Sequence, residues 1–110
     1  MKVKNIEISI EKIKKFCKDW QVTEFALFGS VLRDDFRPDS DIDVMVQFDA
    51  NAHPTFWNLE QMEEELKTIF KREVDLITRQ GIETSRNYLR RQAILSSIQV
   101  IYATGSSISA

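Results

Sequence analysis

The sequence predicts a small α/β (α+β) fold in which helices lie mainly on one face of a mixed β-sheet. In several segments apolar residues recur every three or four positions, a spacing typical of amphipathic helices. Between those segments lie short apolar or alternating runs, which are typical of strands. The predicted order is helix, strand, strand, helix, strand, helix, strand. This interleaving indicates one layered domain over residues 1–103.

Length and composition fit a single globular domain. The chain has 110 residues, of which 43% are hydrophobic and 29% are charged. Its net charge of -2 argues against binding nucleic acid through bulk charge. No apolar run is long enough to cross a membrane, and the N-terminus lacks the apolar segment of a signal peptide. We therefore expect a cytoplasmic protein without a membrane partner, and the single cysteine, Cys17, agrees with a reducing compartment.

The first predicted helix begins after Ser9, a residue type that caps helix N-termini. Its apolar stripe consists of Ile10, Ile13, Cys17 and Trp20. The following run, TEFALF (residues 23–28), predicts a strand that is buried on both faces. Gly29 and Ser30 end this strand, and the residues that follow (SVLRDD) are a candidate short helix.

The second strand is predicted over residues 41–48 (DIDVMVQF), where side chains alternate between two faces of the sheet. One face carries Ile42, Val44 and Val46 and should pack against the helices. The other face carries Asp41, Asp43 and Met45. We expect this second face to be open, so that two carboxylates lie on an uncovered sheet surface.

The C-terminal half predicts two more helices and two more strands. Thr55 is a candidate N-cap for a helix of about four turns, whose apolar positions are Phe56, Leu59, Met62, Leu66 and Ile69. Residues 73–78 (EVDLIT) predict a strand, residues 81–97 one helix, and residues 98–102 the last strand. Residues 104–110 have no core-forming pattern and predict a flexible tail.

Three aspartates are candidate ligands for metal ions. Asp41 and Asp43 point to the same face of their strand, where their charges repel unless a cation lies between them. Asp75 joins them if its strand is the neighbour of the first. Carboxylate oxygens suit Mg²⁺, and three carboxylates can hold two Mg²⁺ ions for in-line phosphoryl or nucleotidyl transfer. The sequence therefore predicts a magnesium site on Asp41, Asp43 and Asp75.

Gly29 and Ser30 are candidate phosphate-binding residues. Glycine allows a phosphate to approach the backbone closely, and a helix that begins here would offer N–H groups to an anion. Ser30 adds a hydroxyl donor, and Arg33 adds a positive charge one turn later. We assign Ser40, directly before the first aspartate, to the same nucleotide-binding site. A glycine–serine pair alone is usually only a turn, so the assignment depends on the combination with the aspartates.

The combination resembles the nucleotidyltransferase superfamily of DNA polymerase β. The matching features are LFGS, a spacer of ten residues, DIDV, and a later strand aspartate. The segment RPDSDID looks most like the corresponding segment of the minimal nucleotidyltransferases (MNT). The resemblance covers residues 23–102. It implies the nucleotidyltransferase fold and ATP as a substrate. One departure is Asp34, where many relatives have glycine; its charge is expected to weaken nucleotide affinity unless the side chain turns outward.

The resemblance also implies a role for each site residue. Asp41 and Asp43 would ligate the metal ions. Asp75 would be the third carboxylate, which helps to position and deprotonate the attacking hydroxyl. Gly29 and Ser30 would grip the nucleotide phosphates.

Lone MNT proteins resemble the antitoxin of a pair whose toxin is a HEPN-domain ribonuclease. The resemblance therefore implies a hetero-oligomer in which AMP is transferred to a tyrosine hydroxyl of the toxin. Two alternatives stay open: modification of a small hydroxylated molecule such as an aminoglycoside, or an antitoxin that occludes its partner without catalysis. Trp57 and the basic pair Arg86 and Arg90 are candidate partner contacts, although a solvated face explains the arginines more simply. His53 is expected to be an exposed loop residue.

Overall fold

The computed structural model describes residues 2–3, 6–34, 36–37 and 39–104, which form two sheets and four α-helices. The strands are β1 (Lys2–Val3), β2 (Ile6–Glu7), β3 (Val22–Phe28), β4 (Ile42–Phe48), β5 (Val74–Thr78) and β6 (Gln99–Ala103). The helices are α1 (Ile10–Trp20), α2 (Phe56–Phe70), α3 (Arg79–Glu83) and α4 (Tyr88–Leu95), with a 3₁₀ helix over Gly29–Leu32.

The larger sheet has four strands in the order β5-β4-β3-β6. β3 is antiparallel to both β4 and β6, whereas β4 and β5 are parallel. The sheet is therefore mixed, as the sequence predicts. The β1–β2 hairpin was not predicted, because strands of two residues carry too short a pattern to recognise.

The two longer helices begin at their predicted caps. The Ser9 hydroxyl accepts a hydrogen bond from the backbone N–H of Lys12, at 3.4 Å. The Thr55 hydroxyl accepts one from the backbone N–H of Asn58, at 3.1 Å, and the Asn58 side chain accepts the Thr55 N–H in return, at 2.9 Å. This reciprocal capping box satisfies backbone donors that the first turn of a helix leaves free.

The main hydrophobic core lies between α1, α2 and one face of the larger sheet. Helix residues Phe16, Cys17 and Met62 are buried there, together with sheet residues such as Leu27 and Val44. The predicted apolar face of β4 is thus confirmed. Cys17 is a fully buried core residue. This burial raises the pKa of its thiol to about 12.

The opposite face of the sheet is not open along its whole length, and that expectation was wrong in part. A second, smaller core consists of Ala26, Phe28, Met45, Ile82 and Ile94. Helices α3 and α4 supply the last two residues and cover the middle of this face. The pattern of β4 did not reveal this cover, because Met45 is a single apolar residue among polar neighbours, whereas the apolar run of β3 correctly predicted burial on both faces.

The predicted helix over residues 81–97 is in fact two helices. The first begins two residues earlier, where the Thr78 hydroxyl accepts the backbone N–H of Gly81 at 3.0 Å. The second begins at Asn87, whose side chain accepts the backbone N–H of Arg90 at 3.0 Å. Threonine and asparagine side chains compete for backbone groups in this way, which favours caps over a continuous helix.

The C-terminal end of the sheet extends slightly beyond β6. The backbone N–H of Thr104, assigned to the predicted tail, donates to the carbonyl of Thr23 in β3 at 2.9 Å. The rest of that tail, residues 105–110, lies outside the described residues. In the part of the chain that the structure describes, no helix is long and apolar enough to cross a membrane.

Candidate active site

Two of the predicted site carboxylates lie side by side on neighbouring strands. β4 and β5 are parallel, and Asp43 is in register with Asp75. Residues in register on adjacent strands have their side chains on the same face, with the strands about 4.8 Å apart. The neighbour relation that the sequence left open is therefore confirmed. Asp41 lies one residue before β4 begins.

The Gly29–Ser30 turn packs directly against Asp43. Gly29 has a φ of +76°, and a Cβ added there would overlap Oδ2 of Asp43 and lie 3.2 Å from its Cγ. The backbone N–H of Ser30 donates a hydrogen bond to the Asp43 carboxylate. Glycine is thus needed here for two reasons, the positive φ and the close carboxylate.

This packing engages two backbone donors of the turn. The Ser30 N–H donates to Asp43, and the N–H of Arg33, where the 3₁₀ helix ends, donates to the Ser30 carbonyl at 2.9 Å. Phosphate binding by Gly29 and Ser30 stays a prediction.

The electrostatics of Asp43 mark it as the centre of the cluster. Burial raises the pKa of its carboxyl, and the charges of Asp75 and Asp41 raise it further. The charge of Arg33 and the Ser30 hydrogen bond act in the opposite direction. Arg33 is therefore close enough to act on the Asp43 carboxyl, and its contact with a triphosphate stays a prediction. Asp34 is exposed, and its effect on nucleotide affinity stays a prediction.

The donor chemistry of the three aspartates fits a divalent cation. Negative charges crowded around a half-buried carboxylate disfavour its ionised form, and a bound cation would reverse that effect. Among the described residues, however, no three His, Cys, Asp or Glu side chains converge closely enough to hold a metal ion as they stand. Asp41 and Asp75 are exposed and free to change rotamer. The predicted three-carboxylate site stays a prediction.

The loop before Asp41 is held by a residue that the sequence did not single out. Nη1 of Arg72 donates to the carbonyl oxygens of Arg37 and Ser40, both at 3.1 Å. The Ser40 hydroxyl accepts the backbone N–H of Arg37 at 3.0 Å, so it has a structural role in this turn. Its predicted contact with the nucleotide is untested. No sequence pattern links an arginine to carbonyls more than 30 positions away.

One cavity in the described part of the chain does not contain these carboxylates. It has a volume of about 620 Å³ and lies at the other end of β4 and β5, beside Phe48, Thr78 and Arg79. His53 also lines it and is an exposed loop residue, as expected. The carboxylate edge is instead exposed at Asp41 and Asp75.

The predicted partner contacts lie on the surface. The Trp57 side chain is 65% exposed at the start of α2. Arg86 is exposed in the loop two residues before α4, and Arg90 is exposed in the first turn of α4. Nothing in the chain alone decides whether a partner covers them, so both assignments stay predictions.

Comparison with known proteins agrees with this geometry. Residues 10–101 match the model of the nucleotidyltransferase domain family. A curated protein of Methanocaldococcus jannaschii, "Putative protein adenylyltransferase MJ1379", is 43% identical over 74 residues, which are 66% of this chain and 74% of that protein. A second protein of the same name and organism, MJ1215, is 35% identical over 76 residues, 69% of this chain and 86% of that protein.

Solved structures share the fold at low sequence identity. A crystal structure described as a toxin–antitoxin with AMP-PNP matches with a TM-score of 0.68 and 20% identity, over 93% of this chain and 79% of that one. A structure of the tri-AMPylated Shewanella oneidensis HEPN toxin in complex with its MNT antitoxin matches with a TM-score of 0.59 and 20% identity, over 91% and 74%. These likenesses establish the nucleotidyltransferase fold.

Proposed function

The chain belongs to the nucleotidyltransferase domain family, and we propose that it transfers AMP from ATP to a hydroxyl group of a protein partner. One observation carries the proposal: Asp43 lies in register with Asp75 and is packed against the Gly29–Ser30 turn. Carboxylates, a serine hydroxyl at a glycine turn and a nearby arginine are groups that nucleotidyl transfer uses.

Each residue has a distinct role in the proposed reaction. The Ser30 hydroxyl and the Arg33 guanidinium bind and orient the triphosphate, the arginine by its charge. Asp41, Asp43 and Asp75 would hold Mg²⁺, which neutralises phosphate charge and the charge that develops on the departing pyrophosphate. Gly29 leaves the space in which the Asp43 carboxylate lies.

Asp75 is the proposed general base. It lies on the edge strand β5 and is exposed, so an incoming hydroxyl group can reach it. As the hydroxyl oxygen attacks the α-phosphorus, its proton passes to the Asp75 carboxylate, and the bond from the α-phosphorus to the bridging oxygen of pyrophosphate breaks. The products are the AMP ester of the acceptor and pyrophosphate.

The proposed acceptor is a tyrosine of a HEPN toxin. An exposed carboxylate edge is accessible to a residue on a second protein, whereas a small acceptor would need an enclosing pocket. The names of the two curated relatives specify protein adenylyltransferase, and the structural neighbours include a tri-AMPylated HEPN toxin with an MNT antitoxin. In this proposal the chain acts as the antitoxin, with ATP as donor.

The test is to co-express the chain with the protein encoded beside it, add ATP and Mg²⁺, and measure the partner's intact mass. We expect a gain of one or more AMP units, and no gain with Asp43→Ala or Asp41→Ala. Asp49→Ala is the matched control, because Asp49 is an exposed aspartate just beyond the other end of β4 and should leave the gain intact.

The other outcomes separate the alternatives. An unchanged partner mass with a stable complex would contradict catalysis and support occlusion. An unchanged mass without a complex would direct the search to small hydroxylated acceptors such as aminoglycosides. AMP transfer that persists in both aspartate variants would refute the assigned site.

A further inference from the structure

Arg72 lies between α2 and β5 and reaches across to the loop that leads into Asp41. Its Nη1 donates to the carbonyls of Arg37 and Ser40, each at 3.1 Å, and these residues precede it by 35 and 32 positions. The guanidinium also lies over the ring of Phe36, 4.5 Å from its centroid. One half-buried side chain therefore contacts three residues of this loop.

The cation has no carboxylate partner among residues that the structure describes. An arginine whose charge serves only an ion pair can be replaced by lysine, because both carry the charge. A flat group that stacks on a ring while one of its nitrogens reaches two carbonyls cannot, because lysine lacks the flat face. The contacts of Arg72 are of the second kind, so its shape matters more than its charge.

The same short segment holds the chain on both sides of Asp41. On one side Arg72 binds the carbonyl of Ser40. On the other, the backbone N–H of Ile42 donates to the carbonyl of Glu73 at 2.9 Å. Asp41 lies between these two anchored residues, and Asp75 follows Glu73 by two positions. The segment formed by Arg72 and Glu73 thus holds the chain around Asp41 and leads directly into the strand that carries Asp75.

The turn that Arg72 binds is also closed internally. The backbone N–H of Ser40 donates to the carbonyl of Arg37, and the N–H of Arg37 donates to the Ser40 hydroxyl, both at 3.0 Å. Arg72 therefore binds the carbonyls at both ends of a hydrogen-bonded turn.

We propose that Arg72 is a positioning residue that fixes the loop over residues 36–41 and thereby keeps the Asp41 carboxylate within reach of Asp43 and Asp75. Its importance for catalysis rests on the proposed nucleotidyl transfer. The effect is transmitted through the backbone, because the cation that acts on the Asp43 carboxyl is Arg33.

The test compares Arg72→Met and Arg72→Lys with the wild type, with Lys14→Met as control. Lys14 is exposed on α1, so its variant removes the same charge far from the site. Hydrogen exchange of residues 36–42, followed by mass spectrometry, reports on the loop itself. Calorimetric titration with Mg²⁺ and AMP-PNP reports on nucleotide binding, and thermal unfolding reports on the fold.

We expect exchange of residues 36–42 to accelerate in Arg72→Met, while exchange in α1 stays at the wild-type rate. The affinity for Mg²⁺ and AMP-PNP should fall about 10- to 100-fold, as is typical when a residue that orients metal ligands is lost. The Mg²⁺ concentration for half-maximal AMP transfer should rise, with the rate largely restored at saturating Mg²⁺. Arg72→Lys should be intermediate, and Lys14→Met should match the wild type.

A second, milder variant keeps the proposal testable if Arg72→Met does not fold. Phe36→Leu removes the ring under the guanidinium but keeps an apolar side chain, and it should accelerate the same amides to a smaller extent. Wild-type exchange of residues 36–42 in Arg72→Met would overturn the proposal, as would wild-type behaviour of Arg72→Lys in both assays. If the wild type bound no Mg²⁺ and AMP-PNP and transferred no AMP, the proposed function would be refuted, and exchange alone would decide whether Arg72 holds the loop.

Discussion

At the scale of single residues, Asp43 shows that a half-buried carboxylate among other carboxylates is a cost to the fold. Burial and the charges of Asp75 and Asp41 raise its pKa, so the folded state disfavours the ionised form. Natural active sites commonly keep such destabilising groups because activity requires them. The stability of the metal-free protein should therefore depend on this one side chain.

We predict that Asp43→Asn raises the melting temperature in EDTA while abolishing AMP transfer. The sign follows from the raised pKa of Asp43 in the folded state. At a pH above this raised pKa, the ionised carboxylate destabilises the fold in full. The penalty disappears as the pH falls to the ordinary pKa of an aspartate in the unfolded chain and below. The gain should be on the order of a few degrees at pH 7 and vanish in acid. Thermal unfolding of both proteins as a function of pH checks this, and a lower melting temperature for the variant at pH 7 would contradict it.

Gly29 is the second residue whose identity has a specific structural reason. We predict that Gly29→Ala destabilises the protein by about 1–2 kcal/mol, because an L side chain at φ +76° is strained and its Cβ would displace the Asp43 carboxylate. AMP transfer should fall strongly, since Asp43 must move. Urea unfolding and the partner-mass assay measure the two effects.

Gly81→Ala is the matched control for that variant. Gly81 lies in α3, where its Cβ would meet only the Thr78 hydroxyl, at 3.0 Å. The Thr78 side chain must shift slightly to admit this Cβ, but alanine has the higher helix propensity. The control should therefore lose much less stability than Gly29→Ala and keep its activity. Equal effects of the two alanines would show that Gly29 has no special role.

At the scale of secondary-structure elements, side-chain caps decide where helices start. We predict that Thr55→Ala costs about 1 kcal/mol, because it removes one half of the capping box of α2. Thr68→Ala is the control, since the exposed Thr68 hydroxyl only contacts the Glu64 carbonyl, at 3.3 Å, within the same helix. Urea unfolding should show no loss for the control, because alanine has the higher helix propensity; equal losses would contradict the capping role of Thr55.

The same principle explains the break between α3 and α4. Residues 81–97 contain apolar positions at helical spacing, and the spacing alone predicts one helix. Asn87 instead caps a new helix, and the break lets Ile82 and Ile94 both reach the second face of the sheet. Periodicity finds helical segments, but it does not detect a polar cap that divides them.

At the scale of the whole molecule, most stability should come from the larger core. We predict that Leu66→Ala costs about 2–5 kcal/mol, because Leu66 is fully buried between α2 and the sheet. That is a large share of the total free energy of unfolding for a domain of this size. Leu89→Ala, at a side chain that is 78% exposed on α4, should change the free energy of unfolding by less than about 0.5 kcal/mol. Chemical denaturation measures both; similar costs would mean that the Leu89 side chain is packed and not exposed.

The sequence by itself determined the main elements, their burial and the three aspartates, because these depend on local patterns. Side-chain period assigns the faces of β4, and Ser9 and Thr55 identify helix starts from residue type alone. Family membership follows from the same motifs. What each site residue does in catalysis is still a prediction, because neither the fold nor its likenesses test it.

Only the tertiary structure decided which distant residues meet. Strand order placed Asp75 beside Asp43. The packing of the turn against Asp43 explains why residue 29 is glycine. Helices α3 and α4 cover the second face of the sheet. The Arg72 contacts likewise join residues more than 30 positions apart. Periodicity and capping act within a few residues, whereas these relations arise when separate segments pack together, and a local pattern carries no record of that packing.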